Sequence, residues 1–124
     1  MIIRKASSND MPAIRGLIRE FPDTLMQDNL PPSEAFFVAT EGERIVGCCA
    51  LEIYSKRLAE IRSLAVTKDF QRKGIAKQLI QTCVAEAKEH GVYEILCITG
   101  TQDIFEKYGF GPFNKEKYAL IKIL

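Results

Sequence analysis

Between Leu58 and Ile98 the hydrophobic pattern changes period twice, and that change restricts the fold more than any other stretch of the chain. Leu58 to Val66 reads as a strand. From Gly74 to His90 the repeat becomes helical: Ile75, Ala76, Leu79, Ile80, Cys83, Val84 and Ala87 share a face, while Lys77, Gln81, Glu86, Lys88 and Glu89 lie off it. Gly91 follows where a left-handed helix cap requires glycine. Tyr93 to Ile98 is a nearly continuous apolar run, the pattern of a strand buried on both faces. Strand, helix and strand in that order make a βαβ unit with parallel strands and a right-handed crossover.

The segments on either side complete a mixed sheet. Ile2 to Ala6 is a short strand, and Ser7 to Asp10 offers several capping side chains ahead of Pro12 in a first helical turn. Met11, Ile14, Leu17, Ile18 and Phe21 then recur at three and four residues, which makes a one-sided apolar helix. Pro22, Pro31 and Pro32 break the stretch 22–34 into a loop with room for one helical turn. Phe36 to Thr40 and Arg44 to Tyr54 form a hairpin around Glu41-Gly42-Glu43, and Ser55-Lys56-Arg57 turns the chain into the strand at 58–66. Thr101 to Tyr108 reads as a short helix stopped by Gly109, and Lys117 to Leu124 as a last strand. The order β-α-β-β-β-α-β-α-β predicts an α/β (α+β) fold of one mixed central sheet with flanking helices. A chain of 124 residues has room for one such domain over 1–124, with a core that needs no disulfide staples.

Charge and cysteine usage exclude several function classes. Seventeen basic residues against sixteen acidic ones leave a net charge of +1, too little for a broad field toward nucleic acid or an anionic membrane. Cys48 and Cys49 are adjacent, Cys83 and Cys97 stand alone in apolar runs, and the single histidine is His90, so no metal-ligand spacing exists. Small buried thiols in a reducing compartment fit this pattern better than disulfides. The opening residues contain no export-type apolar stretch, and no apolar run approaches the roughly 20 residues of a membrane span. The expectation is a cytoplasmic protein without metal, nucleic-acid or membrane partner.

The chemistry concentrates where the strand at 58–66 gives way to the helix. Gly74 and Ala76 open that helix, where unpaired backbone N–H groups and the helix dipole favour an anion. Lys68, Arg72, Lys73 and Lys77 surround the same point. A pyrophosphate suits it, although the spacing is neither that of a nucleotide P-loop nor that of a dinucleotide fingerprint. On residue chemistry alone, an ordinary βα turn with solvated lysines is the better reading.

Three motifs resolve that choice by resemblance. Gln71-Arg72-Lys73-Gly74-Ile75-Ala76 resembles the Q/R-x-x-G-x-G/A loop of the GNAT acetyltransferase superfamily. Ile104-Phe105-Glu106-Lys107-Tyr108-Gly109-Phe110 is similar to its F-Y-E-K-x-G-F motif, and Leu64-Ala65-Val66 looks like its strand end beside the pantetheine arm. Ile3-Arg4-Lys5-Ala6 before a helix is typical as well.

The resemblance implies a set of roles. The fourth and fifth strands splay apart, and acetyl-CoA lies between them along Leu64, Ala65, Val66 and Phe105, with its pyrophosphate on Gln71, Arg72, Lys73, Gly74, Ile75 and Ala76. The backbone N–H near Val66 polarises the thioester carbonyl. A primary amine attacks from the other side of the sheet, and Glu60 looks like the family's general base. Period-two geometry puts Glu60, Arg62 and Leu64 nominally on one face, subject to any bulge; the competing role for Glu60 is a solvated carboxylate paired with Arg62.

Phe105 replaces the family's usual acidic tyrosine, which leaves Tyr108 as the candidate general acid or as packing. The run Ala59 to Val66 is similar to the N-acetylglutamate synthase-like branch, in which Arg62 would grip an acceptor carboxylate, making glutamate or another small amino acid the favoured acceptor. Cys97 faces either the cleft or the core, with packing as its expected role. The alternatives are an acetyl-CoA-binding module without catalysis and an acetyltransferase of protein lysines or N-termini. Family members often form homodimers, but no segment marks an interface here.

Overall fold

The computed structural model describes residues 1–112 and 120–124. Among the described residues five strands form one sheet in sequence order: β1 (Ile2–Lys5), β2 (Phe36–Glu41), β3 (Arg44–Ile53), β4 (Leu58–Val66) and β5 (Glu94–Cys97). The first four run antiparallel to their neighbours, and β5 returns parallel to β4. The α-helices among the described residues are α1 (Met11–Ile18), α2 (Ile75–Glu89) and α3 (Gln102–Glu106). The mixed sheet and the strand–helix–strand crossover stand as expected. The proline-bearing loop contains a single 3-10 turn, Ser33–Ala35.

Strand periodicity sorts the core into two layers. Phe36, Val38, Cys48, Ala50 and Ala65 pack against Ile14, Leu17 and Ile18 of α1. Phe37, Ala39, Val46, Cys49, Leu51, Ala59 and Ile61 face Ile75, Leu79, Ile80, Cys83 and Ala87 of α2. The adjacent Cys48 and Cys49 therefore point to opposite faces, each fully buried among apolar groups. Complete burial of each Leu or Ile in these layers contributes about 2 kcal/mol. Gly47 lets α2 approach closely, because a Cβ there would lie 3.1 Å from Ile75 Cγ2 and 3.2 Å from Leu79 Cδ1.

Two expectations change. The run 93–98 is not buried on both faces: Tyr93 is 77% exposed and Ile98 68%, and Ile95, Leu96 and Cys97 are half-buried. Among the described residues β5 pairs with β4 alone, and its apolar run is only half-buried at Ile95, Leu96 and Cys97. The expected last strand lies outside the described residues as far as residue 119, and Leu120 to Leu124 is exposed without regular structure.

Candidate active site

The parallel pairing of β4 with β5 ends at Ile61 and Cys97, whereas β4 runs on to Val66. The strands part there, and a cleft of about 600 Å³ opens between them. Its walls are residues 61–66 of β4, the turn into α2, residues 97–101 after β5, and Ile104, Phe105, Lys107 and Tyr108 around α3. Arg62, Arg72, Lys77 and Lys107 line it, and no carboxylate does so among the described residues. The protein carries almost no net charge, yet this one cavity is cationic. An anionic ligand is what such a wall attracts.

The turn into α2 supplies backbone donors to the same cavity. Gly74 adopts φ +83° as the residue preceding the helix, and Arg72 also has a positive φ of 63°. A side chain on Gly74 would meet no atom within 4 Å, so its glycine answers to backbone conformation and not to crowding. The N–H of Gln78 is the first to be satisfied by the helix, donating to the Gly74 carbonyl at 3.1 Å. Those of residues 72–77 find no acceptor among the described residues, as the start of a helix dictates.

Side chains hold this turn in register with β4. Gln71 Nε2 donates to the Val66 carbonyl at 2.9 Å, and Thr67 Oγ1 donates to the Glu20 carboxylate at 2.9 Å. The Thr67 N–H donates to the Val46 carbonyl of β3. Since antiparallel ladders alternate, Val66 turns its own N–H away from β3, toward the side where β5 has departed.

Of the residues singled out by sequence, Leu64, Ala65, Val66, Gln71, Arg72, Gly74, Ile75, Ala76, Phe105, Tyr108 and Arg62 all border the cleft. Lys73 does not; its ammonium lies 5.0 Å from the centre of the Phe70 ring. Cys97 borders the cleft as well as packing on the α2 layer, so the cleft is part of its surroundings. Phe105 is buried, with its ring edge-on to Phe110 at 5.4 Å.

The face shared by Glu60, Arg62 and Leu64 is not observed. β4 has an irregularity opposite Cys48 to Ala50, and Ser63 takes φ +56° within it. One extra residue inverts the alternation beyond it. Glu60 and Arg62 stay on the α1 side, whereas Leu64 joins Ile61 and Val66 toward α2. The Cys48 thiol donates to the Ser63 carbonyl at 3.3 Å inside this irregularity.

Glu60 does not border the cleft and is not paired with Arg62. Its Oε1 accepts from the Tyr54 hydroxyl at 2.5 Å. That bond, followed by burial, pushes the Tyr54 phenol up to about 12. Arg62 bonds instead to Glu52 Oε1 at 2.6 Å and to the Asn29 carbonyl at 3.2 Å, which fastens the 22–34 loop to β4. Glu52 and Tyr54 were invisible as site residues in the sequence. Only a strand register that seats Glu52 opposite Glu60 reveals them.

The chain belongs to the Acetyltransferase (GNAT) family, whose model matches residues 6–110. An uncharacterised N-acetyltransferase of Chlorobaculum tepidum is 40% identical over 83 residues, 67% of this chain and 54% of that protein. The chain thus spans about half the length of that relative. An amino-acid acetyltransferase of Mycobacterium tuberculosis is 26% identical, over 88% of this chain and 67% of its own. The N-acetylglutamate synthase of Neisseria gonorrhoeae, solved with coenzyme A and L-arginine, superposes with a TM-score of 0.82 at 26% identity, over 96% of this chain and 29% of that one.

Proposed function

We propose that residues 1–124 act as one catalytic domain that moves the acetyl group of acetyl-CoA to the primary amine of a small, amino-acid-like acceptor, in a ternary complex. The observation that carries this reading is the cationic cleft bordered by Arg72 and by residues 74–77, whose backbone N–H groups are unpaired among the described residues. Those groups, with Arg72 and Lys77, suit a pyrophosphate. The extended cleft along Leu64 to Val66 suits the pantetheine arm. The free N–H of Val66 suits the thioester oxygen as charge develops on it.

The acceptor approaches from the α1 side of β4, where Glu60 takes a proton from the amine directly or through one water. The neutral nitrogen bonds to the carbonyl carbon, the carbon–sulfur bond breaks, CoA leaves as the thiolate, and the nitrogen gives up its second proton to water. Tyr108 borders the cleft and is the candidate donor to that sulfur; Phe105 has no proton to give. Glutamate is the first acceptor to test, on the strength of the likeness to amino-acid acetyltransferases. Free buried thiols at Cys48, Cys49 and Cys83 are in keeping with a reducing, cytoplasmic setting.

The test is CoA release from acetyl-CoA with and without L-glutamate. Glutamate-dependent release that falls about 100-fold or more in Glu60→Gln, with acetyl-CoA affinity retained, is the expected result. Acetyl-CoA binding without release across a panel of amines would replace the enzyme by a binding module, the reading that Phe105 favours. Tyr108→Phe separates the acid from a packing residue: a change below about twofold assigns Tyr108 to packing.

A further inference from the structure

Arg62 is spoken for by the protein itself. Its Nη1 donates to a single oxygen of Glu52, and its Nη2 to the Asn29 carbonyl, with the Met26 sulfur at 3.7 Å. Both partners of the ion pair keep about a quarter of their side-chain surface in solvent, 24% for Arg62 and 25% for Glu52. Arg62 borders the cleft, while Glu52 borders a separate hollow of about 290 Å³ beside Pro32 and Glu34. The pair is therefore part of the wall between the two spaces.

The strand register explains why Arg62 chooses Glu52. Glu52 sits directly opposite Glu60, and like charges in that position repel. Tyr54 engages Glu60, which leaves the Glu52 carboxylate for Arg62, two residues along the same face. Glu52 thus presents to Arg62 the group that an amino-acid acceptor would present.

We propose that Glu52 determines specificity by acting as an internal carboxylate on Arg62, so that an acceptor's carboxylate binds only by displacing it. The inference rests on the acetyltransferase reading above and on Arg62 as the acceptor's anchor. The exchange is feasible because the internal pair uses one Glu52 oxygen, whereas a free carboxylate can take a guanidinium with two parallel bonds. Partial exposure allows water and the hollow to receive the released Glu52. Glu52 accordingly weakens the hold on every acceptor carboxylate, so that one able to give Arg62 two bonds displaces it and one able to give a single bond does not. It is a positioning residue, working through Arg62.

The experiment compares wild type with Glu52→Gln, using L-glutamate and L-glutamate dimethyl ester as acceptors. The ratio of kcat/KM for glutamate to that for the ester rises about tenfold in the variant, through KM for glutamate and not through kcat. Calorimetry with N-acetyl-L-glutamate in the presence of CoA reads the same effect without turnover, as tighter binding by a similar factor. Glu52→Asp, whose shorter carboxylate falls short of Arg62, shifts both readouts in the same direction and guards against a folding defect in one variant. Unchanged binding of N-acetyl-L-glutamate in both variants, or an equal shift for the ester, overturns the proposal. Absence of transfer by wild type to any amine sinks the acetyltransferase reading instead, and the calorimetric comparison still decides the role of Glu52.

Discussion

The Tyr54 hydroxyl donates to Glu60 Oε1 at 2.5 Å across the turn that joins β3 to β4. The bond raises the phenol from its ordinary 10.0 to about 12, so Tyr54 stays neutral and donating throughout the physiological range. Its contribution to the fold is complete below about 10 and is lost as pH rises through about 12. Ultraviolet titration of the phenols is expected to show Tyr54 ionising near 12 in wild type and nearer 10 in Glu60→Gln. Tyr54→Phe leaves the Glu60 carboxylate unheld and should lower turnover roughly 5- to 10-fold, the worth of one such hydrogen bond. Unaltered turnover would separate this contact from the chemistry.

Gly47 sets the distance between β3 and the start of α2. A methyl group at this site would press on Ile75 Cγ2 at 3.1 Å and Leu79 Cδ1 at 3.2 Å. Overpacking of this kind costs about 1–3 kcal/mol. Because Ile75 is the first residue of α2, the strain falls on the turn that carries the unpaired N–H groups. Gly47→Ala should therefore lower thermal stability and weaken acetyl-CoA binding together, measured by calorimetry on the same preparation. A stability loss with full affinity would mean that α2 absorbs the methyl by moving away from the cleft.

How much of this site could be read in advance depends on what carries each function. The turn proposed to take the pyrophosphate is made of backbone, and its position is written locally: the spacing of 71–76 puts Gly74 at the start of the helix, where the structure has it. Much of the two-layer core was legible as well, since β2 and α2 keep their periodicity, although β3 breaks its own where Val46 and Gly47 both face α2. The acceptor side was not. Which of Glu52, Glu60 and Leu64 share a face depends on the strand irregularity at Ser63 and on the register between β3 and β4, neither of which has a residue signature. The choice of Glu52 by Arg62 is a contact across ten residues that follows from that register. The apolar run at 93–98 misled because hydrophobic content alone does not say which of its residues a neighbouring element covers, and Tyr93 and Ile98 are left exposed.

Gly74 offers a direct test of the proposed anion site. An L-residue at φ +83° is strained by about 1–2 kcal/mol, although its side chain would meet open space. Gly74→Ala should thus fold with a modest stability loss and a severalfold weaker hold on acetyl-CoA. Gly74→Glu adds a negative charge at the helix start, against the bound pyrophosphate, and should abolish measurable binding. Equal affinities for the two variants would show that strain alone, and not the anion, makes Gly74 necessary.

Asp10 ties the first strand to the first helix and supplies a pH dependence whose sign is fixed. Its carboxylate accepts from Arg4 Nη1 at 2.8 Å and Nη2 at 3.0 Å, and from the Ser7 backbone N–H at 2.7 Å. The bonds from Arg4 first, then that from Ser7, hold Asp10 down from 3.8 to about 2. A depressed carboxyl stabilises the fold above its unfolded value and ceases to do so as pH falls through its folded value. The contribution is therefore full above about pH 5 and drains away between pH 4 and pH 2, amounting to roughly 2 kcal/mol at neutrality. Asp10→Asn should be less stable than wild type by about that amount in urea at pH 7, with the two curves converging as the pH approaches 2. A gap that persists unchanged in acid would assign the loss to the geometry of the Ser7 turn and not to the charge on Asp10.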